Sequence, residues 1–223
     1  MNLKRAMRNL IAMAVPVVVA LLTLSIANSS TETETETTTQ SSSDGATAIF
    51  AGGCFWCVES DFDHVPGVLE TESGYSGGET TQPTYKNHHQ GRHREVVRIT
   101  YDPAEVTYEE LLHVFWRSID PTDGGGQFCD RGHSYTTAVY SVDETQQRLA
   151  VESLEKLKEA GTLKDPIVTV IEPASDFWPA EQYHQDYYQK NPLRYKYYRA
   201  ACGRDNRVKK VWGGEAHSGI EKS

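Results

Sequence analysis

A polar segment divides this 223-residue chain into two parts with different properties. From Asn28 to Gly45 the sequence is rich in Ser, Thr and alternating Glu, and it contains no large apolar side chain. Such a segment cannot bury enough surface to offset the entropy that is lost on ordering. Residues 28–46 are therefore predicted to be a disordered linker, and we expect the fold to begin near Thr47.

The residues before the linker have the order of a secretory signal peptide. Three basic residues among the first eight precede an uncharged, apolar run from Leu10 to Ala27, which ends in the small-x-small sequence Ser25-Ile26-Ala27. Residues 1–27 are therefore predicted to export the protein to the periplasm or out of the cell. The run also reaches the lower length limit of a membrane-spanning helix. A retained anchor formed by residues 10–27 is the alternative.

After the linker, strand-like alternation and helix-like spacing of apolar residues follow each other several times. The predicted strands are 46–52, 68–77, 95–101, 135–142 and 167–173, and the predicted helices are 54–64, 108–119, 143–160 and 180–189. This order predicts an α+β fold, a two-layer α/β sandwich with a ferredoxin-like core. Residues after Leu193 have little periodicity and are predicted to wrap the domain as a long C-terminal coil. The folded domain is placed at 47–215, followed by a flexible tail at 216–223.

The charge and the cysteine content exclude two classes of protein. The chain has 31 acidic and 22 basic residues and a net charge of −9. This balance argues against binding to nucleic acid, because such proteins normally present a basic face. Four cysteines are too few for a disulfide-dense scaffold in a chain of this length. We expect a monomer.

Cys54 lies at the predicted junction of a strand and a helix, directly after Gly52 and Gly53. A thiol at a helix N-terminus is close to unpaired N–H groups and to the positive end of the helix dipole, which both favour the thiolate. The two glycines let another molecule approach the backbone closely. Cys54 is therefore a candidate nucleophile, and a buried structural cysteine is the alternative interpretation.

Three kinds of function are compatible with a cysteine in this place. Cys54 and Cys57 form a Cys-x-x-Cys pair, as in a thiol–disulfide oxidoreductase. A cysteine together with His88, His89 and His93 would suggest a metal site. The first two histidines are adjacent and the segment is loop-like, which favours a solvated loop instead. A single reactive cysteine with an acid elsewhere in the chain would indicate covalent catalysis.

A series of motifs resembles the A-class peptide methionine sulfoxide reductases. The first is Gly53-Cys54-Phe55-Trp56-Cys57-Val58-Glu59. The others follow in the order of the family: Gly74-Tyr75-Ser76-Gly77-Gly78, Pro83-Thr84-Tyr85, Glu95-Val96-Val97, Tyr101-Asp102-Pro103, Asp130-Arg131-Gly132 with Tyr135, and Tyr183-His184-Gln185. The match covers about residues 47–215, which would be the catalytic domain. The resemblance implies an enzyme that reduces methionine S-sulfoxide, free and in proteins, to repair damage from oxidative stress.

The resemblance also implies the residues that carry out the reaction. Cys54 would attack the sulfoxide sulfur as a thiolate. Glu95 matches the acid of the family and would protonate the departing oxygen. It directly precedes the apolar alternation of a predicted strand, where partial burial would raise its pKa.

Five further residues match the substrate pocket of the family. Tyr85 and Tyr135 match the two phenols that hydrogen-bond the sulfoxide oxygen, and Asp130 matches another polar group of the pocket. Phe55 and Trp56 match the walls that hold the terminal methyl group of the substrate, a task for which aromatic rings are suited. The resemblance implies no metal and no cofactor.

The reaction would leave Cys54 as a sulfenic acid, which condenses with a second thiol. Cys57, Cys129 and Cys202 are the candidates for this resolving role. Cys202 is favoured because Gly203 follows it in a segment without helical or strand periodicity, where it would be able to swing to the site; Cys129 is the next choice. A thioredoxin-like reductant would then reduce the disulfide. The alternative function is thiol–disulfide exchange by Cys54 and Cys57.

Overall fold

The computed structural model describes residues 45–221, so the predicted signal peptide or anchor and almost all of the predicted linker lie outside the described residues. The strands are β1 (Ala46–Gly52), β2 (Val68–Ser76), β3 (Arg94–Tyr101), β4 (Gly126–Gln127), β5 (Asp130–Arg131), β6 (Thr137–Ser141), β7 (Val170–Pro173) and β8 (Trp178–Pro179). The helices are α1 (Phe55–Phe62), α2 (Tyr108–Ser118), α3 (Glu144–Ala160), α4 (Tyr187–Lys190), α5 (Pro192–Cys202) and α6 (Arg204–Trp212). Across residues 45–221, none of the helices has the length and apolar character that crossing a membrane requires.

Six strands form one sheet in the order β7-β6-β1-β3-β2-β8, and β4 pairs with β5 in a separate hairpin. Neighbouring strands of the large sheet are antiparallel, except for the parallel pair β6 and β7. Helix α1 connects β1 to β2, and α2 follows β3 along the chain. The mixed α/β fold predicted from the sequence is confirmed, and its two central strands are β1 and β3.

The side chains of β1 alternate between two apolar layers, as the pleat of a strand requires. Ala48 and Phe50 point into the main core, which also contains the buried faces of α1 and α2. Ile49 and Ala51 belong to a smaller cluster with Tyr140 on the opposite face of the sheet. The first helix is therefore held against the sheet at the point where β1 ends, which fixes the turn between them.

The C-terminal segment is helical, and its prediction as a coil is wrong. Pro192 occupies the first turn of α5, and Gly203, in the left-handed conformation with φ of 74°, ends α5 and starts α6. Tyr195 is the only buried residue of α5, and the buried apolar residues of α6 are Val208 and Trp212. Helices with so few buried residues have a weak apolar period, and their ends are marked by Pro and Gly instead.

The predicted helix over residues 180–189 is also wrong, because most of this segment forms turns and only α4 is helical. Asp186 has a φ of 52°, which interrupts any continuous helix. The Gln185 amide accepts a hydrogen bond from Ser73 N–H and donates one to the Ser73 carbonyl oxygen. Contacts with strand β2 therefore determine the path of this segment.

The chain stays in contact with the domain beyond residue 215, the predicted start of a flexible tail. The Glu221 N–H donates a hydrogen bond to the His64 carbonyl oxygen at 2.9 Å. Ile220 packs against the main core. These contacts connect the C-terminal end of the described chain to the end of α1.

Candidate active site

Cys54 lies between the sheet and the first helix, as the sequence predicts. Strand β1 ends at Gly52, and Cys54 is the N-cap residue of α1. Gly53 has a φ of +89°, a conformation that L side chains rarely adopt, and a Cβ atom there would lie 2.6 Å from Cβ of Gln127. Glycine is therefore required at residue 53 for the turn that presents Cys54.

The Cys54 thiol is buried, and its pKa is raised well above the usual value, contrary to the expectation from its position on the helix. Burial is the main cause, because it disfavours the charged thiolate. A hydrogen bond with Cys57 and the charge of Glu95 act in the same direction, and a hydrogen bond with Tyr198 opposes them. The resting residue is thus a neutral thiol, since the helix N-terminus does not outweigh the burial.

The first N–H group of α1 binds the acid instead of the thiol. Glu95 of β3 is 2% exposed, and its Oε2 accepts a hydrogen bond from Phe55 N–H at 3.0 Å. Burial raises the pKa of Glu95 to about 8; the Phe55 N–H lowers it and the Asp130 carboxyl raises it further. At neutral pH the carboxyl therefore holds a proton that it is able to donate.

Cys54 and Glu95 line a common cavity of about 50 Å³. The lining residues are Cys54, Phe55, Trp56, Tyr85, Glu95, Asp130, Tyr135 and Tyr198. The structure thus brings together all the catalytic and substrate-binding residues that the sequence analysis names. Tyr198, from α5, is a lining residue that it does not name.

Three phenols face this cavity and keep their protons. Burial raises the pKa values of Tyr85, Tyr135 and Tyr198 above the usual range of a phenol. Tyr198 donates a hydrogen bond to Oδ2 of Asp130. Neutral phenols are hydrogen-bond donors, so the cavity presents several O–H groups to any oxygen atom placed in it.

The aromatic wall of the cavity is held by residues to which the sequence analysis gives no role. The Trp56 ring stacks on Tyr187 with 3.7 Å between the centroids, and its Nε1–H donates a hydrogen bond to Nδ1 of His184 at 3.0 Å. The His184 ring packs in turn against Phe55 and Tyr85, at centroid distances of 5.0 and 4.5 Å. Both wall residues therefore have fixed positions.

Tyr198 lies in the segment that was predicted to be coil, and for this reason it has no predicted role. Helical spacing would have revealed it: Tyr195, Tyr198 and Cys202 are related as i, i+3 and i+7, and so share one face of a helix. That face of α5 is the one turned toward the site.

Cys129 and Cys202 are joined to each other. Cys129, between β4 and β5, forms a disulfide with Cys202, the last residue of α5, and their Cα atoms are 4.9 Å apart. Cys202 is thus neither in an irregular segment nor a thiol, which are the grounds for favouring it as the resolving residue. Among the described cysteines, Cys54 and Cys57 remain outside a disulfide, and each shifts the pKa of the other.

The histidine-rich segment was predicted to be a solvated loop, and this prediction is wrong because His88 and His93 are both buried. Nε2 of His93 pairs with the carbonyl oxygen of Thr80, whereas Nδ1 of His88 lies against backbone carbonyl oxygens of its own turn. His89 is exposed. The ring nitrogens of these three described histidines therefore face separate surroundings instead of converging on one point.

The sequence profile of the family described as Peptide methionine sulfoxide reductase matches residues 46–216. Peptide methionine sulfoxide reductase MsrA 2 of Rhizobium meliloti (strain 1021) is 58% identical over 173 residues, which cover 78% of this chain and 86% of that protein. Peptide methionine sulfoxide reductase MsrA of Bacillus subtilis (strain 168) is 49% identical over 168 residues, which cover 74% and 95%.

Two solved structures have a similar fold. Methionine sulfoxide reductase A of Corynebacterium diphtheriae is 34% identical with a TM-score of 0.60, and the match covers 67% of this chain and 76% of that one. Mxr1 from Saccharomyces cerevisiae in its reduced form is 28% identical with a TM-score of 0.61, covering 68% and 88%. The matched profile includes every residue that lines the cavity of Cys54 and Glu95. The chain therefore belongs to the A-class peptide methionine sulfoxide reductases and is an oxidoreductase.

Proposed function

We propose that this protein reduces the S epimer of methionine sulfoxide, in proteins and as the free amino acid, and so repairs oxidative damage. The observation that carries the proposal is the meeting of the Cys54 thiol and the protonated Glu95 carboxyl in one small cavity. With a volume of about 50 Å³, the cavity has room for only a small group. A methylsulfinyl group has this size.

In the proposed reaction, oxygen passes from methionine to Cys54. The Cys54 sulfur attacks the sulfoxide sulfur while Glu95 protonates the oxygen, which also accepts hydrogen bonds from Tyr85 and Tyr135. The OH group then passes from the methionine sulfur to the Cys54 sulfur: the bonds that join the methionine sulfur to oxygen and to Cys54 break, an S–O bond forms on Cys54, and the thioether leaves. Methionine is reduced by two electrons, and Cys54 is oxidised by two electrons to a sulfenic acid. The proton lost by the thiol returns to Glu95, so the reaction consumes no proton overall.

We propose Cys57 as the thiol that captures this sulfenic acid, in place of the Cys202 favoured by the sequence. Cys57 lies one helical turn from Cys54, and the Cys54 side chain is the main cause that lowers the pKa of Cys57. Cys202 is bonded to Cys129 and has no thiol to offer in this state. The capture joins Cys54 to Cys57 and releases water.

The surroundings of Cys57 suit an attacking thiol. Its hydrogen bond with Cys54 lowers the pKa of Cys57, and the guanidinium groups of Arg204 and Arg199 lower it further against the effect of burial. The thiolate is the attacking species in disulfide formation. A thioredoxin-like dithiol would then reduce the Cys54–Cys57 bond and be oxidised to a disulfide itself.

Cys57→Ser is expected to leave the first reduction of substrate within about threefold of the parent rate, because Cys54 and Glu95 are unchanged. It should stop turnover with thioredoxin, since no exchangeable disulfide forms. The measurements are the methionine formed with and without thioredoxin and its reductase, and the disulfide present in the parent after one equivalent of substrate. A Cys54–Cys202 bridge in the parent would contradict the assignment.

The matched control is the double variant Cys129→Ser/Cys202→Ser, which keeps Cys54 and Cys57. Turnover with thioredoxin should persist at every temperature at which this variant is folded. The disulfide joins residues 73 apart in sequence, for which chain entropy gives a stabilisation of roughly 4 kcal/mol. The melting temperature should therefore fall, and loss of recycling in the folded control would return the resolving role to Cys202.

The activity itself is tested by supplying the S and R epimers of methionine sulfoxide separately, with dithiothreitol as reductant. We expect turnover of the S epimer alone. The alternative function is thiol–disulfide exchange, and it is favoured because Cys54 and Cys57 are both outside a disulfide and are separated by two residues. That function would reduce neither epimer and would have no need for Glu95.

We further propose that the domain acts outside the cytoplasm as a monomer, exported or tethered by residues 1–27. The basic and apolar pattern of these residues supports export. The Cys129–Cys202 disulfide also suits an oxidising compartment, where such bonds persist. In that setting a dedicated, thioredoxin-like partner must keep Cys54 reduced.

A further inference from the structure

His88, between β2 and β3, is a buried histidine to which the proposed reaction gives no role. It is 4% exposed, and its ring stacks on Tyr75 with 4.9 Å between the centroids. Its Nδ1 lies 3.0 Å from the carbonyl oxygen of Tyr85 and 3.3 Å from that of Thr84. Carbonyl oxygens only accept hydrogen bonds, so Nδ1 carries the ring hydrogen and Nε2 has a free lone pair.

The Nε2 atom of His88 faces the acid. It is buried without a hydrogen-bond partner and lies 3.8 Å from Oε1 of Glu95. Because Oε2 of Glu95 accepts the Phe55 N–H, the proton of the neutral carboxyl belongs on Oε1, the oxygen on the His88 side. A shift of about 1 Å would bring Oε1 and Nε2 to hydrogen-bond distance.

We propose that His88 is a positioning residue for Glu95: its Nε2 lone pair accepts the Oε1 hydrogen and so holds the carboxyl in the protonated form that the reaction needs. The inference rests on the proposed role of Glu95 as the acid. Against a carboxylate the same lone pair is unfavourable, because both atoms are acceptors. Burial lowers the pKa of His88, so the ring stays neutral near pH 7 and does not become a cation that would favour the carboxylate.

The other groups that face this pair do not take over its role. Glu95 is faced by Cys54 and Cys57 from α1, Tyr75 from β2, Tyr85 from the following turn, Asp130 from β5 and Tyr135. His88 is faced by Tyr75, Tyr85, His89, His93 and His184. Burial lowers the pKa values of His93 and His184 as well. The cysteines, tyrosines and carboxyls named here, and His93 and His184, are therefore neutral or negative near pH 7, and the exposed ring of His89 meets His88 edge-on.

The test compares His88→Phe with the parent in single-turnover reduction of methionine S-sulfoxide from pH 5 to 10. Phenylalanine keeps a stacked ring but has no acceptor. The parent rate should fall near pH 8, where Glu95 loses its proton. In His88→Phe this fall should move down by about one pH unit, which is a tenfold loss of rate above pH 8, whereas the rate at pH 5 stays within about threefold. His89→Phe, at the exposed neighbour, should match the parent.

Two further variants keep the test decisive. Glutamine at residue 88 reaches the place of Nε2 with an acceptor oxygen, and asparagine does not, so His88→Gln should keep more of the parent profile than His88→Asn. A folded His88→Phe whose profile coincides with the parent, or whose rate falls equally at every pH, overturns the proposal. If His88→Phe does not fold, equal profiles for the glutamine and asparagine variants overturn it. Failure of Glu95 as the acid is a separate result, since Glu95→Gln would then keep the parent rate and profile.

Discussion

Cys54→Ser is expected to abolish the reduction of methionine sulfoxide, with a single-turnover rate lower by roughly 10⁴-fold or more. A serine hydroxyl is a far weaker nucleophile than a thiolate at neutral pH. It also cannot form a sulfenic acid, the product in which the proposed reaction oxidises Cys54 by two electrons. The measurement is the methionine formed per protein molecule after mixing with the S epimer in the absence of any reductant.

Cys57→Ser is the matched control for this experiment, because it changes the neighbouring thiol in the same helix. It should still form methionine in the first turnover, whereas Cys54→Ser should form none. Serine is close to cysteine in size, so both variants are expected to fold. A first turnover that survives in Cys54→Ser would transfer the nucleophilic role to another group, and Cys57 is the remaining described thiol outside a disulfide.

In the proposed reaction, the raised pKa of Cys54 makes Glu95 necessary for two successive proton transfers. In the empty site the thiol keeps its proton, because burial and the nearby carboxyl disfavour a thiolate. When Glu95 gives its proton to the sulfoxide oxygen, it becomes a carboxylate able to accept the proton that Cys54 loses. In this proposed reaction one side chain acts first as an acid and then as a base, so both groups must lie in one small cavity.

The first half of the site could be predicted from the sequence because its determinants are local. Two glycines before Cys54 mark the end of a strand, and the structure confirms the turn and the helix that follow. Thr107 and Glu110 form the capping box of α2 that their spacing indicates. Such features depend on residues within a few positions of each other.

The remainder depends on contacts between distant parts of the chain. Tyr198 reaches the cavity only because α5 packs beside it, and α5 has too few buried residues to show a clear period. The burial of His88 follows from its stacking on Tyr75 of β2. The direction of the Cys54 pKa shift is likewise set by burial, whereas position on a helix alone indicates the opposite direction.

Glu95→Gln is expected to slow the first reduction by roughly 10²–10⁴-fold, the usual contribution of a positioned acid. The amide keeps the shape of the side chain, and its oxygen is able to accept the Phe55 N–H, but it has no proton to donate to the departing oxygen. The parent rate should fall as the pH rises through about 8, where Glu95 loses its proton. Single-turnover rates between pH 5 and 10 should show this fall in the parent and no such fall in the variant.

The same substitution should stabilise the fold at neutral pH. The pKa of Glu95 rises from 4.5 to about 8 on folding. Between these values the unfolded chain gives up a proton that the folded protein keeps, so the free energy of unfolding of the parent falls as the pH rises. At about 1.4 kcal/mol per pKa unit, the difference reaches roughly 3 kcal/mol at pH 7.

Glutamine does not titrate, so the Glu95→Gln variant should equal the parent in stability near pH 4 and exceed it at pH 7 to 8. Other buried carboxyls such as Glu59 are common to both proteins, and the comparison therefore isolates Glu95. Thermal unfolding of both proteins at the two pH values is the measurement. A variant that loses activity but gains no stability at pH 8 would show that Glu95 is already ionised in the folded protein, and a carboxylate cannot be the acid of this reaction.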